Sequence, residues 1–164
     1  MPATRFASTE DFEKGGVEVI GDDQPKRYLF SNMYEVAASA QPWERVMVAK
    51  NLEFTVECVR AEGDSPWYCA SHDETALSMQ GDIEVRFIKP DDGVAPPEET
   101  DGAVRLDAEP AGQSMGWVKL KRGHMSLLPA GAAYQFRADA VGVILVQSIQ
   151  GAETVERWAD ICQA

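Results

Sequence analysis

The feature that most constrains the fold is a two-residue alternation, repeatedly interrupted by turns. In LEFTVECVR, Leu52 to Arg60, the residues Phe54, Val56 and Cys58 share one side and Thr55 and Glu57 the other. In IEVRFIKP, Ile83, Val85 and Phe87 alternate with Glu84 and Arg86. Successive side chains of an extended strand point to opposite faces, so this period marks half-buried β-strands. Turn formers break the strands at short intervals, at Gly63-Asp64-Ser65-Pro66, at Gln80-Gly81-Asp82 and at Pro129-Ala130-Gly131. The runs on either side of Gly81 read as a β-hairpin. Further strands are expected over Glu44 to Ala49, in WVKLK after Gly116, in AAYQFRA and in VGVILVQSI, whose apolar residues on both parities suit a central strand covered on both faces. Many short strands in a chain of 164 residues argue a single all-β barrel or sandwich.

The rest of the chain decorates that barrel. Residues 1–24 are polar and glycine-containing and read as an N-terminal arm, leaving 25–164 as one domain. A short helix is expected before Pro42, and residues 90–112, rich in Pro, Gly and acidic side chains, form an exposed loop with a short strand at Val104 to Leu106. Beyond Gly151, Val155, Trp158, Ala159 and Cys162 recur at helical spacing, which predicts a short C-terminal helix on the barrel. Trp117 and Trp158 are expected in the core.

Charge and composition narrow the partners. A net charge of −12 repels phosphate backbones and anionic lipids, so neither nucleic acid nor a membrane surface is expected to bind. No stretch approaches the roughly 20 apolar residues that span a bilayer, and the first residues lack the apolar run of a secretory leader, so the expected location is cytoplasmic. Cys58, Cys69 and Cys162 form no CxxC pair and read as reduced, buried thiols. No Gly-x-Ser-x-Gly elbow or phosphate-binding glycine loop is present.

Two turn motifs stand out. Glu74 is followed by six residues and Gly81, and Gly123 by five residues and then Pro129-Ala130-Gly131. These skeletons resemble the two cupin motifs, which run Gly, five residues, His-x-His, three or four residues, Glu, six residues, Gly, and Gly, five residues, Pro-x-Gly, two residues, His. The resemblance implies a double-stranded β-helix (jelly-roll) barrel. Yet the histidine positions fall at Tyr68 and Ala70, or with the longer spacing at Trp67 and Cys69, and the third falls at Tyr134. Of the usual ligand set only Glu74 is retained, whereas non-haem iron wants two histidines and a carboxylate. A rearranged triad of His72, Glu74 and His124 is an alternative that the chain's two histidines leave open.

The stretch from Tyr28 to Pro90, with GHMSLLPAGAAYQF and ERWADIC, resembles the small subunit of two-subunit hydroquinone 1,2-dioxygenases. In that family a large cupin subunit carries catalytic Fe(II) and opens hydroquinone to 4-hydroxymuconic semialdehyde, the small subunit holds no metal, and the assembly is two of each. The resemblance implies no catalytic residue and no metal in this chain, with Tyr68, Ala70, Glu74 and Tyr134 as vestigial motif positions. Trp67, following the Pro66 turn, is the expected substrate-proximal residue, stacking on an aromatic diol bound by the partner. A metal-free cupin that acts alone, as a homodimer binding a small ligand or a protein, is the alternative.

Overall fold

The computed structural model describes residues 7–12, 17–20, 27–30, 32–157 and 160. Within them the chain runs β1 (Val17–Ile20), β2 (Arg27–Phe30), α1 (Met33–Ser39), β3 (Arg45–Asn51), β4 (Phe54–Ala70), β5 (Glu74–Gln80), β6 (Ile83–Pro90), β7 (Ala103–Leu106), β8 (Gly112–Leu120), β9 (Met125–Leu128), β10 (Ala133–Ile149) and β11 (Thr154–Val155). The jelly-roll expectation holds. Its frame is a pair of 17-residue strands, β4 and β10, that lie antiparallel along their whole length.

Register shifts at Gln135/Arg137 and Ala138/Gly142 bend this pair, so that each long strand serves two layers. In one layer the order is β11-β3-β4-β10-β5-β9, using the Phe54 end of β4 and the Ile149 end of β10. In the other, the Ala70 end of β4 takes β7, and the Ala133 end of β10 takes β6, which takes β8. The core lies between the layers and includes Val59, Tyr68, Ala76, Val85, Tyr134 and Ile144.

Several local expectations change. Gly63 to Pro66 is not a turn, because β4 continues through it against β10. The runs flanking Gly81 are not a hairpin either: β5 pairs with residues 143–147 of β10 and β6 with residues 133–137, so the Gly81 turn carries the chain from one layer to the other. Gly81 has φ of +80°, and a Cβ there would come within 3.1 Å of the Gly142 backbone, which is why this crossing needs a glycine. Trp117 stands 63 % exposed on β8 rather than in the core.

The first alternation is inverted. On β4 it is the polar pair Thr55 and Glu57 that points into the barrel, each 1 % exposed, while Phe54, Val56 and Cys58 face outward. Helix α1, capped by the Asn32 side chain accepting from Tyr34 N, covers Cys58, Val46 and Val143 with Val36, Ala37 and Ala40. Phe54, beyond the helix, is left 59 % exposed.

Of the expected arm, Val17–Ile20 pairs antiparallel with Arg27–Phe30 as a two-stranded ribbon, so the boundary at 24 falls inside a paired unit. The expected C-terminal helix begins instead with β11, parallel to β3; Trp158, Ala159 and Cys162 lie outside the described residues.

Candidate functional site

The interior position that the two turn motifs converge on is held by a side chain. Arg45, at the head of β3, points inward and is 4 % exposed. Its Nε donates to Glu57 Oε2, its Nη2 to Glu74 Oε1 at 2.7 Å, and its Nη1 to the Tyr134 hydroxyl at 3.2 Å. Tyr134 Oη in turn donates to Glu74 Oε2 at 2.5 Å, and Thr154 Oγ1 donates to Glu57 Oε1 at 2.6 Å. The guanidinium also lies 5.6 Å from the centroid of the Tyr68 ring. A planar fork of N–H donors suits two carboxylates at once, which a lysine ammonium would match less well.

Electrostatics follow from burial and this pairing. Burial works against the charge of Arg45, but Glu57, Tyr134 and Glu74 more than offset it, and the guanidinium stays firmly protonated. Burial likewise raises the Glu74 carboxyl, but Arg45 and hydrogen bonds from Ser148, Tyr134 and Arg45 outweigh it and hold the group below its ordinary value. Burial drives the Tyr134 phenol well above its usual range, so it remains a donor. The cluster is therefore one cation between two carboxylates, closed off by aromatic rings: Tyr68 and Tyr134 at 5.8 Å, Tyr134 and Phe136 edge to face at 5.4 Å, and Trp43 stacked on Phe136 at 6.0 Å. Above it a cleft of about 560 Å³ opens between Pro42, Trp43, Pro66, Tyr68, Arg105 and Glu153.

The structure distinguishes the two ligand spacings. Tyr68, Ala70, Glu74 and Tyr134 are in the interior, so the shorter spacing is the inward one. Trp67 has the opposite parity, packs on Ile88, Ala133 and Leu106, and is 6 % exposed. Cys69 is buried with a free thiol, its pKa raised to about 11 by burial and then by Glu74. The second motif's turn is clamped to the first: Gly131 N donates to Ala70 O at 2.8 Å, and Ala130 N donates to Asp73 Oδ1 at 2.8 Å. Gly131 has φ of +72°, as its turn requires.

The alternative triad does not assemble. His72 Nε2 accepts from Ile149 N at 3.4 Å and lies 3.3 Å from Ser148 Oγ, while His124 is exposed in the turn between β8 and β9. Among the described residues, no three His, Cys, Asp or Glu side chains gather as a metal site. Iron does not fit the interior for a positive reason: Arg45 already sits against the one retained motif carboxylate, and a second cation there would meet its charge at contact distance. Sequence reasoning missed Arg45 and Glu57. Their signal was parity, since Glu57 alternates with the outward apolar set and therefore had to be buried with a counter-charge or exposed.

Two bent layers joined by these turns define a cupin-type double-stranded β-helix whose interior holds the Arg45 guanidinium between Glu74 and Tyr134. No protein-family model and no curated protein matches the chain. Among solved structures, one chain of the hydroquinone 1,2-dioxygenase PnpCD, in complex with Cd2+ and 4-hydroxybenzonitrile, is 46 % identical with a TM-score of 0.84, the match covering 100 % of this chain and 98 % of that one. A chain of hydroquinone 1,2-dioxygenase from Sphingomonas sp. TTNP3, with 4-hydroxybenzoate bound, is 46 % identical with a TM-score of 0.86, covering 100 % and 99 %. This chain belongs to the hydroquinone 1,2-dioxygenase family. A different, longer chain of PnpCD, from its complex with Fe3+, shares only the fold, at 13 % identity and a TM-score of 0.54, over 75 % of this chain and 32 % of that one. PnpCD thus contains two kinds of chain, and this one matches the shorter along its length.

Proposed function

We propose that the chain is the non-metallated small subunit of an Fe(II)-dependent hydroquinone 1,2-dioxygenase in the cytoplasm, assembled two-and-two with a large cupin subunit. The large subunit holds the iron and cleaves the ring of hydroquinone to 4-hydroxymuconic semialdehyde, adding both atoms of dioxygen. The observation that carries this reading is the Arg45 guanidinium bonded to Glu74 and Tyr134 at two motif positions. A barrel closed by an internal ion cluster keeps its shape without a metal, and so keeps an outer surface for a partner. Full-length similarity to the shorter chain of PnpCD supports the same assignment.

Trp67 is proposed as the ring that lies near the partner's substrate. Its indole packs in this chain against Ile88 of β6 and Leu106 of β7. The test of the function is purification of the chain alone and after co-expression with the larger cupin. The reading predicts oxygen consumption with hydroquinone only in the second sample. Activity in the first would overturn it, and absence of both activity and assembly in the second would favour the stand-alone homodimer.

A further inference from the structure

We infer that the cleft above Arg45 is a small-molecule site of this chain's own, and that it takes an uncharged aromatic ring bearing a hydroxyl group. The inference stands apart from the subunit reading, which gives this chain no ligand. A volume of about 560 Å³ falls within the roughly 300–1,000 Å³ of small-molecule pockets. The Tyr68 and Trp43 rings, with Pro42 and Pro66, supply the apolar lining against which a flat ring can pack.

Two features at Trp43 mark the cleft. Its φ of +64° is a left-handed backbone that a bulky side chain rarely adopts, and it is fixed by Trp43 N donating to Arg60 O at 2.9 Å and by the stack on Phe136. Its Nε1 is buried and has no hydrogen-bond partner among the described residues. Backbone strain and orphaned donors both cost stability, and they gather at ligand sites.

The charges around the cleft select the ligand. Glu44 is held by Arg157, and Arg45 by Glu57 and Glu74. Asp64 lies 3.8 Å from Arg137. Arg105 and Glu153 also line the cleft, and neither forms an ion pair among the described residues. An anionic ligand that pairs with Arg105 meets Glu153, and a cationic one that pairs with Glu153 meets Arg105. A neutral hydroxyl suits both, because its oxygen accepts while its proton is donated to a carboxylate. Tyr68, opposite Arg105 in the β4–β7 register, adds a third polar group: its Oη makes no hydrogen bond among the described residues. Burial pushes the Tyr68 phenol up against the pull of Arg45, so the hydroxyl stays a donor.

The test titrates 4-fluorophenol into the iron-free full-length chain, followed by fluorine NMR, beside 4-fluorobenzoate as the anion and fluorobenzene as the ring without a hydroxyl. Tyr68→Phe removes only the unbonded hydroxyl, and Arg105 is exposed, so Tyr68→Phe and Arg105→Gln should both keep the fold. The expected result is saturable binding of 4-fluorophenol, at least about fivefold tighter than either comparison ring, with Kd raised about threefold to tenfold by Tyr68→Phe and by Arg105→Gln. Absence of saturable 4-fluorophenol binding overturns the site. Affinity unchanged in both variants overturns its location. Equal affinity for 4-fluorobenzoate or fluorobenzene overturns the ligand class. Each of these results leaves the subunit reading intact, and failure to assemble with a large cupin leaves this site intact.

Discussion

Replacing Arg45 by Met keeps an unbranched stem of similar reach but removes the charge between Glu57 and Glu74, both 1 % exposed. Three hydrogen bonds from the guanidinium disappear, and two buried carboxylates are left without a cation. Removing one partner of a buried ion pair costs about 3–5 kcal/mol, because the remaining charge is uncompensated. In a protein of this size, each 1 kcal/mol shifts Tm by about 2–4 °C, so a fall of about 6–20 °C is expected. The pH dependence carries a sharper signature. In the wild type, the Glu74 carboxyl is held below its ordinary value of 4.5, so its contribution is full above that pH and is lost as pH falls through the depressed folded value. In Arg45→Met the sign reverses: burial without a cation raises the Glu74 carboxyl, so the folded state takes up a proton, and the deficit narrows between pH 7 and about pH 5. Urea titrations of both proteins at the two pH values measure this. A deficit below about 1 kcal/mol, or an equal deficit at both, would refute the account of the cluster.

Other outcomes follow from the same geometry. Tyr134→Phe removes the donor to Glu74 and the acceptor for Arg45, and urea titration should show a loss of about 1–3 kcal/mol with the fold retained. Trp67→Ala in the assembled enzyme, assayed well below its melting temperature, should raise KM for hydroquinone; unchanged kinetics would remove Trp67 from the substrate's surroundings and leave it a packing residue. Deleting residues 1–24 should weaken the heteromer more than it lowers the melting temperature of the free chain, as read by sedimentation and thermal denaturation; an unchanged heteromer rules out a binding role for the arm.

Much of the barrel was legible because strand period and turn residues are local signals. The Glu74-to-Gly81 and Gly123-to-Gly131 spacings fix turns that persist whatever fills the interior, and VGVILVQSI proved central because both its parities are apolar. What failed was non-local. Which face of Phe54–Cys58 is buried depends on strands far along the chain, and an alternation alone cannot distinguish inside from outside. Likewise the Gly81 turn looked like a hairpin because the split pairing of β10 is invisible from residues 74–90. Arg45 escaped notice for a related reason: its partners are 12, 29 and 89 positions away.

The central claim is that an arginine occupies the cation position of this barrel and that the iron of the assembly belongs to its partner. Native mass spectrometry of the co-expressed heteromer, with the subunits separated in the gas phase, tests it most directly. The account predicts iron retained on the larger cupin and this chain at its metal-free mass. Iron retained stoichiometrically on this chain would contradict it.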